Sequence, residues 1–168
     1  ALEGGVVDLS KVTQIADPST GDLNFRSIDV SANGTGSLVR LDELSTYIDN
    51  YGSDLSNGMY STLSAKLGGE VRIPKLTQAD GLNIELDATG VIPIGQLTRF
   101  DGGRILVSNT NKAFNGLVEA TDTDIEVVGG SGNFPALKYI DGNRPPVSGG
   151  GGTLISLGAN LCAGSKWE

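Results

Sequence analysis

The chain has 168 residues, room for one domain with a core, and carries a formal net charge of −8, no His, one Cys, 25 Gly and only 5% aromatic residues. The acidic balance argues against nucleic acid or an anionic membrane surface as partner, since both need a basic footprint. Without His there is no Ser-His-Asp or Cys-His catalysis and no two-His metal site, and no run approaches the roughly 18 apolar residues that membrane insertion requires.

In chain order the first apolar stretch is Val6-Val7-Asp8-Leu9-Ser10-Lys11-Val12-Thr13, leading to Ile15 and Asp17. Pro18-Ser19-Thr20-Gly21 then opens a polar stretch expected to project as a loop over 18–25. Between Leu38 and Ile48, Val39, Leu41 and Leu44 suit extended segments, with a short helical turn as the other reading. A second loop is expected over 50–60, around Tyr51-Gly52-Ser53-Asp54.

From Leu63 the pattern is cleaner. Leu63, Ala65 and Leu67 alternate, Gly68-Gly69 interrupts, and Val71, Ile73 and Leu76 follow. The next copy repeats this with Leu82, Ile84 and Leu86, then Gly90, then Ile92 and Ile94 around Pro93, then Leu97. Two more copies carry Ile105, Val107, Phe114 and Leu117, then Ile125, Val127, Phe134 and Leu137. Period-two alternation marks short strands with one buried face, and Gly, Asn and Asp mark the corners between them.

Six times an aliphatic anchor is followed three residues later by an apolar or small side chain, and then at once or one residue later by Asp. The six are Val12-Ile15-Asp17, Leu44-Tyr47-Asp49, Leu76-Ala79-Asp80, Leu97-Phe100-Asp101, Leu117-Ala120-Asp122 and Leu137-Ile140-Asp141. The anchors sit 32, 32, 21, 20 and 20 residues apart, the mark of a stacked repeat architecture. A rung of about 20 residues at roughly 3.3 Å each gives about 66 Å of path, enough to close one three-sided turn. The expected fold is all-β: a parallel β-helix of 20–21 residues per rung with six to seven rungs over 1–142, right-handed by the usual hand of parallel crossovers. The longer intervals hold the two loops.

Residues 143–168 depart from the pattern. Arg144-Pro145-Pro146 and the glycines from Gly149 to Gly152 make an irregular tail, in which Leu154 and Leu157 offer a last rung and Trp167 a cap. Cys162 is expected to be a small packed side chain, and the chain reads as one piece of a longer array.

Two sets of polar residues are candidates for chemistry. Asp-Gly corners such as Asp80-Gly81 read first as ordinary turn chemistry; the lesser reading is that stacking puts repeated Asp residues in a column able to hold calcium, with Asp80, Asp101, Asp122 and Asp141 as the ligands. No other cofactor is expected. Outward Glu85 and Asp87 with Arg72, Arg99 and Arg104 could bind or cleave an acidic glycan, while a solvated sheet face carries such charges without any function. Thr13, Thr77 and Thr98 follow their anchors, but Ser45, Val118 and Lys138 break the flat Thr array that ice binding needs.

Three stretches, Val71-Arg72-Ile73-Pro74-Lys75-Leu76-Thr77, Val91-Ile92-Pro93-Ile94-Gly95-Gln96-Leu97-Thr98 and the first apolar stretch quoted above, give the chain its family likeness. They resemble the β-solenoid repeats of very large secreted or cell-surface bacterial proteins, especially planctomycete-like ones. The likeness covers residues 1–142 and implies a secreted or cell-surface setting, with no catalytic residues to carry over. The expected function is therefore a non-enzymatic structural or adhesive segment, whose partners are other copies, neighbouring repeats or surface glycans. The alternative is a carbohydrate-binding or polysaccharide-cleaving β-helix.

Overall fold

The computed structural model describes residues 1–18, 20, 26–50, 60–141 and 155–157. Among these the chain is all-β, without a helix, and its ladders are parallel. The first copy of the repeat supplies β1 (Val6–Asp8), β2 (Gln14–Asp17) and β3 (Val30–Asn33), and the second supplies β4 (Leu38–Arg40), β5 (Thr46–Asp49) and β6 (Ser61–Lys66). Next come β7 (Glu70–Arg72), the long β8 (Gln78–Leu86) and β9 (Arg99–Ser108), then β10 (Asn111–Ala113) and β11 (Glu119–Val128). Finally β12 (Ser131–Asn133), β13 (Tyr139–Asp141) and β14 (Ile155–Leu157) close the series. The stretch from Leu38 to Ile48 is thus two strands rather than a helical turn.

Strands pair one repeat apart. Gln14 is the partner of Thr46, Thr46 of Gln78, Gln78 of Arg99, Arg99 of Glu119 and Glu119 of Tyr139, in the order β2-β5-β8-β9-β11-β13. The same sheet takes in β3 and β6 beside β8, and β14 beside β11. A separate three-stranded sheet runs β1-β4-β7, and β10 pairs with β12.

This register lines up the sequence anchors. Leu44, Leu76, Leu97 and Leu117 are all fully buried at 0% exposure, with Val12 and Leu137 packed against the core from either extreme. Beside them Tyr47, Ala79, Phe100 and Ala120 alternate large with small, which lets each ring fill space that the next copy leaves open. Leu63, Ile84, Ile105 and Ile125 form a further buried line. Each such side chain contributes about 1.5–3 kcal/mol of burial. At the end of the series Phe114 and Phe134, from consecutive copies, stack with centroids 4.6 Å apart.

Pro93 explains why one side is divided. It has no N–H to give a ladder, and between β7 and β10 the pairing shrinks to one bridge, Glu70 to Val91. The strand expected around Ile92 and Ile94 is therefore missing, though both side chains are buried at 3% exposure.

The corner after the anchors is where copies differ. Ile48 partners Asp80 and Ser61 partners Leu82, so the stretch between Asp49 and Ser61 enters where the third copy has only Gly81. The stretch between Asp17 and Ile28 enters at the same corner of the first copy. Of the two expected loops, residues 19, 21–25 and 51–59 lie outside the described residues. So does the tail apart from β14, which lies along Ile125, Glu126 and Val127; Cys162 and Trp167 fall outside.

Candidate functional site

The repeated Asp residues do not form one column. Asp80 and Asp101 are partners across β8 and β9, but the next member of that line is Thr121, before Asp141. Thr121 donates its hydroxyl to Asp101 Oδ1 at 2.6 Å, and Arg99 lies 2.9 Å from Asp101 Oδ2, which offsets the like charge of Asp80 opposite. Asp122 lies one residue further on, in the place of Gly102, and shares its left-handed backbone with φ of 47°. A step of one residue turns a side chain to the other face of a strand, so the four expected calcium ligands are divided between two lines. Among the described residues no group of three or more His, Cys, Asp or Glu is arranged to hold a metal ion.

Asp17 and Asp49 belong to the line of Asp122, and they point inward. They are partners across β2 and β5 and are only 2% and 1% exposed. Burying two carboxylates is costly unless each is paired and hydrogen-bonded. Arg26 Nε lies 2.6 Å from Asp17 Oδ1, and Asp49 Oδ2 accepts the N–H of Ser61 at 2.8 Å. Ser61 Oγ accepts the N–H of Ile28 at 2.9 Å, and the Tyr47 hydroxyl donates to the Ile28 carbonyl. Burial, with the nearby charges of Asp29 and Asp49, pushes the Tyr47 phenol well above its ordinary range. Asn50 donates both its backbone N–H and its side-chain amide to the Asp17 carbonyl, at 3.2 and 3.0 Å. This buried polar cluster satisfies backbone at the corner where the two extra stretches leave and rejoin the sheet. Sequence reasoning passed over it, although the spacing was visible: anchor and Asp are five residues apart in Val12-Asp17 and Leu44-Asp49, but four in Leu76-Asp80 and Leu97-Asp101.

The five residues considered for glycan binding are dispersed. Arg72 lies on β7 in the three-stranded sheet and holds Glu70 at 2.6 Å, which raises its pKa further. Glu85 on β8 receives Lys66 Nζ at 2.5 Å, and Arg104 on β9 is bonded to Glu126 on β11. Arg99, also on β9, reaches Asp101 and, at 3.7 Å, Glu119. Asp87 accepts the N–H groups of Leu67, Thr89 and Gly90 at 2.8, 2.9 and 2.7 Å. Burial pushes its carboxyl up, but these bonds outweigh it and hold the group below the usual carboxylate range, as fits a turn cap. The structure therefore brings Glu85 and Arg104 onto one outward surface, puts Arg72 on another sheet, and turns Asp87 toward its own corner.

Several ion pairs join successive copies: Asp8 with Arg40, Glu43 with Lys75, Lys66 with Glu85, Arg99 with Glu119 and Arg104 with Glu126. Exposed pairs are each worth about 0–1 kcal/mol, so their sum is modest, but in one register they favour that register over a slipped one. No protein-family model matches the chain, and the searches of curated proteins and of solved structures gave no match.

Proposed function

We propose that the chain is a right-handed parallel β-helix of six to seven rungs that serves as a non-enzymatic structural or adhesive segment of a larger secreted or cell-surface protein. The observation that carries this reading is the unbroken sequence of parallel partners from Gln14 to Tyr139, one repeat per step, around lines of fully buried aliphatic side chains. Such an arrangement adds length by adding rungs, and each rung needs only its neighbours for stability. The extra stretches of the first two copies both enter between strands of one sheet, at the corner where a stacked-repeat fold takes insertions that make contacts. The pairing of Arg72, Arg99 and Arg104 with carboxylates of the same chain weighs against an acidic-glycan site built from them.

A glycan array with a reducing-sugar assay tests this. The expected result is no release of reducing ends and no saturable binding that depends on the arginines. Saturable binding to an acidic glycan, lost in an Arg72→Ala/Arg104→Ala variant, would replace the structural reading with the carbohydrate one.

A further inference from the structure

We propose that the Asp17–Pro18 peptide bond cleaves itself, with the Asp17 carboxyl group as nucleophile and Asn50 stabilising the charge that develops. This self-processing belongs to one corner of the fold and stands apart from the structural or adhesive reading. Asp17 ends β2, because Pro18 has no N–H to carry the ladder on and the residue before a proline is held extended. Pro18 itself is exposed. The bond to it is a tertiary amide. Its nitrogen is more basic than that of an ordinary peptide, so it takes a proton and departs more readily.

The surroundings of this bond suit acyl transfer. The Asp17 carbonyl oxygen accepts both the backbone N–H and the side-chain amide of Asn50, at 3.2 and 3.0 Å. Two donors on one carbonyl oxygen stabilise the oxyanion of a tetrahedral intermediate. The Asp17 side chain is buried, and its Oδ2 accepts no hydrogen bond from the described residues. Buried carboxyl oxygens nearly all have a partner, so this one keeps its lone pairs for the carbonyl carbon of its own residue. Arg26 holds both sides of the bond: its Nε lies 2.6 Å from Asp17 Oδ1, and its guanidinium donates to the carbonyls of Pro18 and Thr20. Asp49, the partner of Asp17 on β5, is the contrast. Its Oδ2 is taken by the N–H of Ser61, and Asn50 rather than a proline follows it, so the bond after Asp49 should stay intact.

The reaction starts from the un-ionised carboxyl group. Oδ2 bonds to the Asp17 carbonyl carbon, the bond from that carbon to the Pro18 nitrogen breaks, and the carboxyl proton ends on that nitrogen. Water then opens the cyclic anhydride, leaving Asp17 as a chain end with both carboxyls restored and Pro18 as a new amino terminus. One water is consumed and nothing is oxidised or reduced. The charged groups around Asp17 are Arg26 and, on β5, Asp49, with Asp29 near Tyr47.

Mass spectrometry of the full 168-residue chain, incubated folded and in urea at about pH 5, tests this; an ordinary Asp there keeps about a tenth of its carboxyl un-ionised. The expected products are fragments 1–17 and 18–168, formed about tenfold or more faster from the folded chain than from the unfolded one. With hydroxylamine present, the anhydride should be trapped as a hydroxamate on Asp17. Asn50→Ala removes one donor and should slow the folded chain about tenfold or more while leaving the rate in urea unchanged. Pro18→Ala, at an exposed position, should stop the cleavage. The comparison of folded with unfolded parent stands even if Asn50→Ala does not fold. A folded parent that cleaves no faster than the unfolded one overturns the proposal. So does cleavage after other Asp residues at the same rate, or a folded Asn50→Ala chain that cleaves like the parent.

Discussion

Leu97→Asp should abolish the cooperative melting transition or lower its midpoint by more than about 15 °C. Leu97 is 0% exposed, in a line with Leu76 and Leu117, which are equally buried. Truncating such a leucine costs about 2–5 kcal/mol through lost transfer energy and the cavity left behind. A carboxylate there adds the cost of an unpaired buried charge, which is several kcal/mol more. The sum approaches the whole stability of an ordinary domain, about 5–15 kcal/mol. At about 2–4 °C per kcal/mol for a chain of this size, the shift should be unmistakable in a thermal melt followed by circular dichroism. Leu67→Asn is the matching control for a polar side chain at an exposed position. Leu67 is 65% exposed and holds φ of 53°, a left-handed conformation that suits Asn better than Leu, and an uncharged amide adds no repulsion to the Asp87 carboxylate on its N–H, so this variant should melt at or slightly above the parent. If Leu97→Asp instead melts like the parent, the buried line does not exist.

Gly103→Ala should lower the midpoint by roughly 10 °C, although it adds only a methyl group. Gly103 has φ of 93°, and a Cβ built on it would stand 2.2 Å from the carbonyl oxygen of Leu82, its partner on β8. The left-handed backbone alone costs an Ala about 1–2 kcal/mol. The overlap is with backbone that is itself held in the ladder, so relief requires the two copies to separate locally, for about 1–3 kcal/mol more. Gly95→Ala tests whether the effect comes from close approach rather than from replacing glycine as such. The nearest atom to its added Cβ is the Ala113 carbonyl oxygen at 3.9 Å and its φ is not positive, so its melt should match the parent's within about 2 °C. Equal losses in both variants would contradict the register between β8 and β9.

The sequence made the buried lines legible because period-two alternation survives in each copy and one aliphatic anchor recurs. All four central anchors, Leu44, Leu76, Leu97 and Leu117, lie where that pattern put them. The corner was harder to read. Grouping Asp residues that follow their anchors by four or five positions merged two lines that face opposite ways, and so hid the inward pair Asp17 and Asp49. Treating each one-residue difference as a change of face would have separated them. Pro93 was a visible warning too, since a residue without N–H cannot donate to a ladder, and the pairing on that side is interrupted at its position. The partners of the outward charges were not legible. Lys66 meets Glu85, and Arg104 meets Glu126, diagonally across strands whose registers are offset by 21 and 20 residues, a fact that depends on the length of each corner.

The central claim is that successive copies pair in parallel, one repeat per step, and paired cysteines test it most directly. In a Cys162→Ser background, Gln78→Cys with Arg99→Cys puts two thiols on partner residues of β8 and β9. Neighbouring strands are about 4.8 Å apart, which is within disulfide reach. Gln78→Cys with Glu119→Cys spans two steps, about 9.6 Å, which is beyond that reach. Mild oxidation should close the first pair within a single chain and leave the second open. An intramolecular bridge between positions 78 and 119, with none between 78 and 99, would contradict the repeat register and the fold reading built on it.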